Sequence, residues 1–254
     1  MTPEKVHQIY ETKPGARISR RLGEWLAGVS REHRAAGMEY KLWDNARQND
    51  LFVGHHFPGW YEQYRSLPFD VQRWDILRLM ILYIEGGIYI DTDVECYKST
   101  LPLVENVEGC AFALEPQAHA DEFRMPYLVG TYFIAAKPGD IAIYKLIEFL
   151  LARTMVKWST HQPTQVMKST GAFAVTEFLQ TAGRLFNIAL IDSRYTSPVA
   201  AKDIPDYLKG RCFEVVDEAY LVHLYVSSWA KAIENKHELN YQEYLRKIKE
   251  REGE

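Results

Sequence analysis

Hydrophobic and polar positions change period several times along the chain, and the changes mark out alternating strands and helices. Lys5-Val-His-Gln-Ile-Tyr10 reads as a first core strand, ended by the Lys13-Pro-Gly15 turn signal. Residues 19 to 36 carry Leu22, Trp25, Leu26 and Val29 at helical spacing, with Ser19 as a cap and Gly37 as a stop. Glu39-Tyr-Lys-Leu-Trp-Asp44 alternates as a second short strand. Strand, helix, strand is the opening of a nucleotide-binding α/β fold. Residues 52 to 69, rich in aromatics, are less regular.

The clearest helix spans residues 70 to 85, where Val71, Trp74, Leu77 and Ile81 recur at helical intervals and Gly86-Gly87 supplies a left-handed exit. Ile88-Tyr-Ile90 then enters the sheet and ends in Asp91-Thr-Asp93. Residues 111 to 114 and 128 to 136 are further strand candidates. Residues 141 to 156 read as a long amphipathic helix after Lys137-Pro-Gly-Asp140. Thr170-Gly171 precedes another helix near residues 174 to 182. Short strands around residues 188 to 191 and 219 to 223 lead to Ser227-Ser-Trp229. The resulting sheet is mixed, and the charged tail from Lys236 is a peripheral helix. No repeat, low-complexity tract or linker divides the chain, so residues 1 to 254 form a single domain with a tail at about 236 to 254.

Composition narrows the class. With 254 residues, 47% hydrophobic and 25% charged, the chain can bury a sizeable core. A formal net charge of -4 without a dominant basic face argues against a protein built to bind nucleic acid. Cys96, Cys110 and Cys212 are odd in number and widely spaced, which suggests neither a disulfide framework nor a Cys-rich zinc site and fits a reducing compartment. The N-terminus lacks the apolar core of a secretory signal. The longest apolar run, residues 76 to 84, is broken by Arg78 and too short to span a bilayer. A soluble cytoplasmic protein is expected; the tail Tyr244-Leu-Arg-Lys-Ile-Lys-Glu-Arg251 offers a peripheral contact with the inner face of the membrane as one reading and a solvated helix as the simpler one.

The chemistry concentrates between residues 75 and 93. Asp75 and Arg78 are three apart on one helix face, and Arg78 lies in the most apolar stretch of the chain, where a charge is costly to bury unless it meets a carboxylate or a substrate. Its planar fork suits a sugar hydroxyl or phosphate oxygen. Asp91 and Asp93 point to opposite faces while the strand stays extended, so both reach one cation only if the backbone turns there. A bare Asp-x-Asp is usually a solvated turn; the helix, glycine and strand around this one give it weight. Hard oxygen ligands of this kind bind Mg²⁺ or Mn²⁺, which commonly clamp nucleotide phosphates.

Residues 72 to 95 resemble the Asp-x-Asp region of glycosyltransferase family 32 and its relatives, including yeast α-1,6-mannosyltransferases, bacterial capsular sugar transferases and the glycosylating domains of large clostridial toxins. The family pattern Ser-Asp-x-x-Arg, a leucine-rich stretch, then Gly-Gly-x-Tyr-x-Asp-x-Asp is retained as Asp75, Arg78, Gly86, Gly87, Tyr89, Asp91 and Asp93, with Trp74 replacing the serine. Three weaker blocks agree in order: His7-Gln-Ile-Tyr10, Tyr40-Lys-Leu-Trp43 and His223-Leu-Tyr-Val-Ser-Ser-Trp229. Tyr10 replaces a usual tryptophan, Thr131 stands where relatives often have asparagine, and Thr170-Gly-Ala172 stands where Thr-Gly-Pro is common.

The resemblance implies a single α/β domain of GT-A type, with a Rossmann-like nucleotide half and a mixed central sheet flanked by helices. It implies a metal-dependent transfer of a sugar from a nucleotide donor with retention, and catalytic roles for Asp75, Arg78, Asp91 and Asp93. Asp93 would bind Mn²⁺ or Mg²⁺ directly. Asp91 would contact the ribose, the sugar or the metal through water, and His223 would complete the metal site or serve as a satisfied core residue. Asp75 with Arg78 would hold the donor sugar, and Tyr10 would stack on the base. His7, Gln8, Gly87, Tyr89 and Thr131 belong to the same donor-binding set, and Ser228 with Trp229 would contact the diphosphate.

Donors compatible with the family are UDP-hexose, UDP-N-acetylhexosamine and GDP-mannose; acceptors are a glycan, a lipid-linked saccharide or a protein, with capsule or surface polysaccharide synthesis as the setting. Two other readings compete. A hydrophobic strand ending Asp-x-Asp-x-Val also resembles the nucleophile strand of haloacid-dehalogenase-type phosphatases, with Asp91 phosphorylated, but that leaves the Asp75/Arg78 helix unexplained. A noncatalytic sugar-binding relative is the other, which the intact Asp-x-Asp and Arg78 disfavour.

Overall fold

The structure, a computed structural model, describes residues 3–11, 18–156, 162–211 and 217–226. Strands β1 (Lys5–Ile9), β2 (Glu39–Trp43), β3 (Gly87–Ile90), β4 (Val94–Cys96), β5 (Cys110–Leu114), β6 (Val129–Ala136), β7 (Ile188–Ile191) and β8 (Leu221–His223) alternate with helices. The helices are α1 (Arg20–Ala35), α2 (Ala46–His56), α3 (Tyr61–Arg65), α4 (Asp70–Glu85), α5 (Leu101–Val104), α6 (Gln117–Glu122), α7 (Ile141–Thr154), α8 (Gln162–Ser169), α9 (Ala172–Thr181), α10 (Ser193–Thr196) and α11 (Ile204–Tyr207).

The main sheet has the order β2-β1-β3-β6-β5-β7 and is mixed as the pattern predicts. β1 is parallel to β2 and β3, whereas β6 runs antiparallel to β3 and β5. The period of two sends alternate residues of β3 to different cores: Tyr89 packs with α2, α4, α7 and α9 on one face, and Ile88 and Ile90 with α1, β4 and α5 on the other. A two-stranded sheet, β4 against β8, lies beyond the end of β3. Its register sets Val94 opposite His223.

α4 is buried almost all round, from Val71 to Leu82, because the sheet covers one side and α7 and α2 the others. Each fully buried apolar side chain there contributes about 2 kcal/mol, enough in sum to tolerate the buried Asp75 and Arg78 only if these are paired. Its exit requires two glycines. Gly86 (φ 65°) and Gly87 (φ 103°) lie in the left-handed region, and a Cβ on Gly87 would come within 2.5 Å of the Lys5 backbone oxygen.

The irregular stretch expected at residues 52 to 69 holds the last five residues of α2 and all of α3. Short β4 and the helix α8 are not evident from the pattern, because β4 is only three residues long and is defined by pairing with distant β8. The turn at residues 13 to 15, Cys212, Ser227, Ser228, Trp229 and the tail from 236 lie outside the described residues.

Candidate active site

The sheet ends and the α4 face converge on an open cleft of about 520 Å³, within the range of small-molecule sites. Tyr10, Asp75, Arg78, Tyr89, Asp91, Asp93, Thr131 and His223, all expected at the site, line it. Arg78 Nη2 lies 3.0 Å from Asp75 Oδ1, and its Nη1 lies 3.2 Å from Asp91 Oδ1. The same guanidinium donates to the backbone oxygens of Thr131 (2.7 Å) and Trp74 (3.3 Å) and sits over the Tyr89 ring. Four of its five N–H groups are thereby directed at protein acceptors. Arg78 is thus less a free fork than a brace that fixes two carboxylates and a strand edge.

Those bonds order the site by charge. Burial pushes the Asp75 carboxyl up to about 6, against the opposing pull of Arg78 and of the Thr170 hydroxyl, which donates to Asp75 Oδ2 at 2.7 Å. The half-buried Asp91 carboxyl is also raised, by desolvation and by neighbouring Asp93, although Arg78 opposes this. Tyr89 donates its hydroxyl to Asp91 Oδ1 at 2.7 Å, and Gln8 donates its amide to the Asp91 backbone oxygen.

After Asp91 the chain leaves the sheet and bends through Thr92 and Asp93 into β4, the turn that the Asp-x-Asp spacing requires for convergence. Asp93 Oδ2 accepts the Val226 N–H at 2.9 Å, and Oδ1 lies 3.4 Å from His223 Nε2. Burial opposes ionisation of Asp93, but the charge and hydrogen bond of His223 and the Val226 N–H hold it below the ordinary carboxylate range. His223 is correspondingly raised by Asp93, Glu115 and Asp91 in spite of its burial.

Candidate ligand atoms of Asp91, Asp93 and His223 all lie within 4.8 Å of one another. Two carboxylate oxygens and one imidazole nitrogen form a hard-to-borderline donor set that fits a divalent cation such as Mn²⁺ or Mg²⁺. A dication held there would also replace the proton that these carboxylates favour on His223.

Three residues expected to touch the donor lie behind the cleft instead. His7 is fully buried in β1: its Nε2 donates to the Gly86 oxygen at 2.9 Å and its Nδ1 accepts the Trp43 indole N–H at 3.2 Å. Gln8, also buried, supports Asp91 and accepts from Tyr40. Gly87 is packed against Lys5 and His7, so its missing side chain serves strand packing rather than ligand approach. The expected diphosphate contacts Ser228 and Trp229 lie outside the described residues. Glu115, His119, Tyr225 and Trp74, which the sequence reading did not assign, also line the cleft.

Residues 22–109 match the model of the glycosyltransferase sugar-binding region containing the DXD motif. Over that stretch the chain is similar to the DXD-containing glycosyltransferases of family 32 type. The chain is 26% identical over 238 residues, 91% of its length, to 84% of the uncharacterized glycosyltransferase L373 of Acanthamoeba polyphaga mimivirus. It is 23% identical over 69% of its length to inositol phosphoceramide mannosyltransferase 1 of Schizosaccharomyces pombe, of which the match spans only about half (51%). Among solved structures the PaToxG glycosyltransferase superposes with a TM-score of 0.52 over 97% of this chain and 87% of that one, at 16% identity. That likeness concerns the fold, which is GT-A. Among the described residues of this DXD-type chain, no helix is long and apolar enough to cross a membrane.

Proposed function

We propose that this protein transfers a sugar from a nucleotide-sugar donor to a hydroxyl-bearing acceptor, with a divalent cation bound and with retention at the anomeric carbon. The observation that carries the reading is the gathering of Asp75, Arg78, Asp91, Asp93 and His223 on one cleft, from helix α4, the turn between β3 and β4, and strand β8. In such a transfer the anomeric C–O bond breaks, leaving negative charge on the diphosphate and positive character on the sugar ring. Asp91, Asp93 and His223 would hold Mn²⁺ or Mg²⁺, which when bound supplies Lewis-acid stabilisation of the leaving diphosphate.

The other residues act on the sugar side. Asp75, fixed by Arg78 and Thr170, accepts sugar hydroxyls and supplies negative charge near the ring. Arg78 keeps Asp75 and Asp91 at a constant separation, and Tyr10 at the cleft wall stacks on the base. Retention without a protein nucleophile corresponds to same-face attack, the acceptor proton passing to the leaving phosphate.

GDP-mannose, UDP-hexoses and UDP-N-acetylhexosamines are the donor candidates; similarity to a protein named as a mannosyltransferase supports testing GDP-mannose first. A glycan, a lipid-linked saccharide or a protein would receive the sugar, with surface polysaccharide synthesis as the setting. A panel of these donors, incubated with Mn²⁺ or Mg²⁺, should give release of nucleoside diphosphate from at least one, and NMR of the transferred product should show the donor's anomeric configuration. No release from any donor, together with no metal-dependent thermal stabilisation, would rule the reading out.

A further inference from the structure

The cleft carries two carboxylates that the proposed donor chemistry does not use, Glu11 and Glu115. Glu11 is spoken for: its Oε1 accepts from Asn49 Nδ2 at 2.7 Å and its Oε2 from the Trp74 indole at 3.0 Å. Glu115 is different. It follows the last residue of β5, and both protein donors that reach its carboxylate fall on one oxygen: Oε2 takes the Tyr225 hydroxyl at 2.6 Å and His119 Nδ1 at 3.1 Å. Among the described residues no donor reaches Oε1.

Both donors are themselves locked. His119 Nε2 accepts the Ala201 backbone N–H at 2.9 Å, which places the imidazole proton on Nδ1, toward Glu115. The Tyr225 oxygen also meets Ser197 Oγ at 2.7 Å, so with its own proton on Glu115 it accepts the serine proton. Tyr225 has φ 48°, a left-handed conformation that a bulky residue adopts only when its surroundings over-determine it. Its ring lies 4.1 Å from that of His223 and 4.9 Å from that of His119.

The open oxygen is also given room. A Cβ on Gly130 would lie 2.9 Å from Glu115 Oε1 and closer still to the Tyr132 ring, so only glycine fits there. The next residue is Thr131, whose backbone oxygen holds Arg78. Burial opposes a charge on Glu115, yet the His119 hydrogen bond, the field of His223 and the Tyr225 hydroxyl hold its carboxyl below the ordinary range. An ionised carboxylate accepts but does not donate, and it repels phosphate, so an uncharged hydroxyl rather than a phosphate oxygen belongs at Glu115.

Building on the transferase reading, we infer that Glu115 is a further sugar-binding residue, whose Oε1 accepts one hydroxyl of the donor sugar while His119 and Tyr225 act as positioning residues for it. Glu115→Gln inverts the site: the amide oxygen must face the His119 and Tyr225 donors, which turns the amino group toward the ligand.

The test uses the full-length protein, its best nucleotide-sugar donor, and the monodeoxy analogues of that donor, with Mn²⁺ present and diphosphate release measured. One analogue should lose roughly ten- to a hundredfold in kcat/KM with the unaltered protein, as expected for a hydrogen bond to a charged acceptor, and little further with Glu115→Gln. Affinity for the nucleoside diphosphate alone should stay within about threefold, a change of under 1 kcal/mol. If Glu115→Gln fails to fold, Tyr225→Phe keeps the carboxylate, and it should reduce the same discrimination. Identical analogue profiles for the unaltered protein and a folded variant would overturn the assignment of Glu115 alone. Absence of diphosphate release from every donor by the unaltered protein would overturn the transferase reading and this inference together.

Discussion

Arg78 Nη1 lies 2.7 Å from the backbone oxygen of Thr131, which ties the core helix α4 to the cavity edge of β6. The guanidinium also separates Asp75 from Asp91 and is only about one-twentieth exposed. Removing one member of such a buried cluster strands the charges of the others. Arg78→Met should therefore destabilise the fold by about 3 kcal/mol or more, read by urea unfolding, and Arg78→Lys should recover only part of that, since a compact ammonium cannot span the four acceptors that the planar guanidinium reaches. A cost near zero for the methionine variant would show that Asp75 and Asp91 do not depend on the brace.

Asp93 shares its two oxygens between His223 and the Val226 N–H. Asp93→Asn keeps the shape and can still accept the Val226 bond, but it removes an anionic ligand. Mn²⁺ with a nucleoside diphosphate should raise the thermal midpoint of the unaltered protein and leave the variant unmoved, because a ligand stabilises only the state that binds it. Metal-dependent donor hydrolysis should be lost as well. Equal midpoint shifts in the two proteins would remove Asp93 from the metal site.

His7 gives a pH dependence of known sign. Burial, only partly opposed by the Gly86 carbonyl, lowers its pKa from 6.5 to about 4, and the Trp43 N–H pointing at Nδ1 leaves no place for a second proton. Above pH 6.5 the ring is neutral in both folded and unfolded states. Between about 6.5 and 4 only the unfolded chain gains the proton, so stability falls with falling pH, by about 3 kcal/mol when the change is complete. His7→Gln should flatten this part of a stability–pH profile measured by chemical denaturation; an unchanged slope would place the titration elsewhere.

Two left-handed glycines make a matched pair. Gly37 (φ 83°) has nothing within 4 Å of a would-be Cβ, whereas on Gly87 (φ 103°) that atom would meet the Lys5 backbone oxygen at 2.5 Å. Gly37→Ala should cost about 1 kcal/mol, the conformational penalty alone, and Gly87→Ala at least about twice that. Equal losses in denaturant titrations would mean that β1 and β3 can part without penalty.

The elements that organise the donor side were legible because each carries a local signal. Apolar residues at helical spacing mark α4, the double glycine marks its end, and Ile88 to Ile90 mark β3, so Asp75, Arg78, Asp91 and Asp93 could be placed along the chain before any packing was known. The helix α2 was missed because polar and aromatic residues interrupt its apolar positions, and β4 because three residues carry no measurable period. His7, Gln8 and Gly87 lie two or three residues from the cleft-lining Tyr10 and Tyr89, and that proximity concealed that they are buried farther back along their strands. Glu115 and His119 had one local signal, an i, i+4 acid and histidine pair just past an apolar strand.

The sequence by itself determined the helix, glycine and strand unit that presents its carboxylates in order, since propensity, capping and alternation act between neighbouring residues. Only the tertiary structure decided that Val94 pairs with His223, that Thr170 reaches Asp75, and that Tyr225 and His119 share one oxygen of Glu115. Those partners are remote along the chain, and no local pattern encodes which distant side chain will satisfy a charge; that choice is made when the core closes and every buried polar group must find a partner.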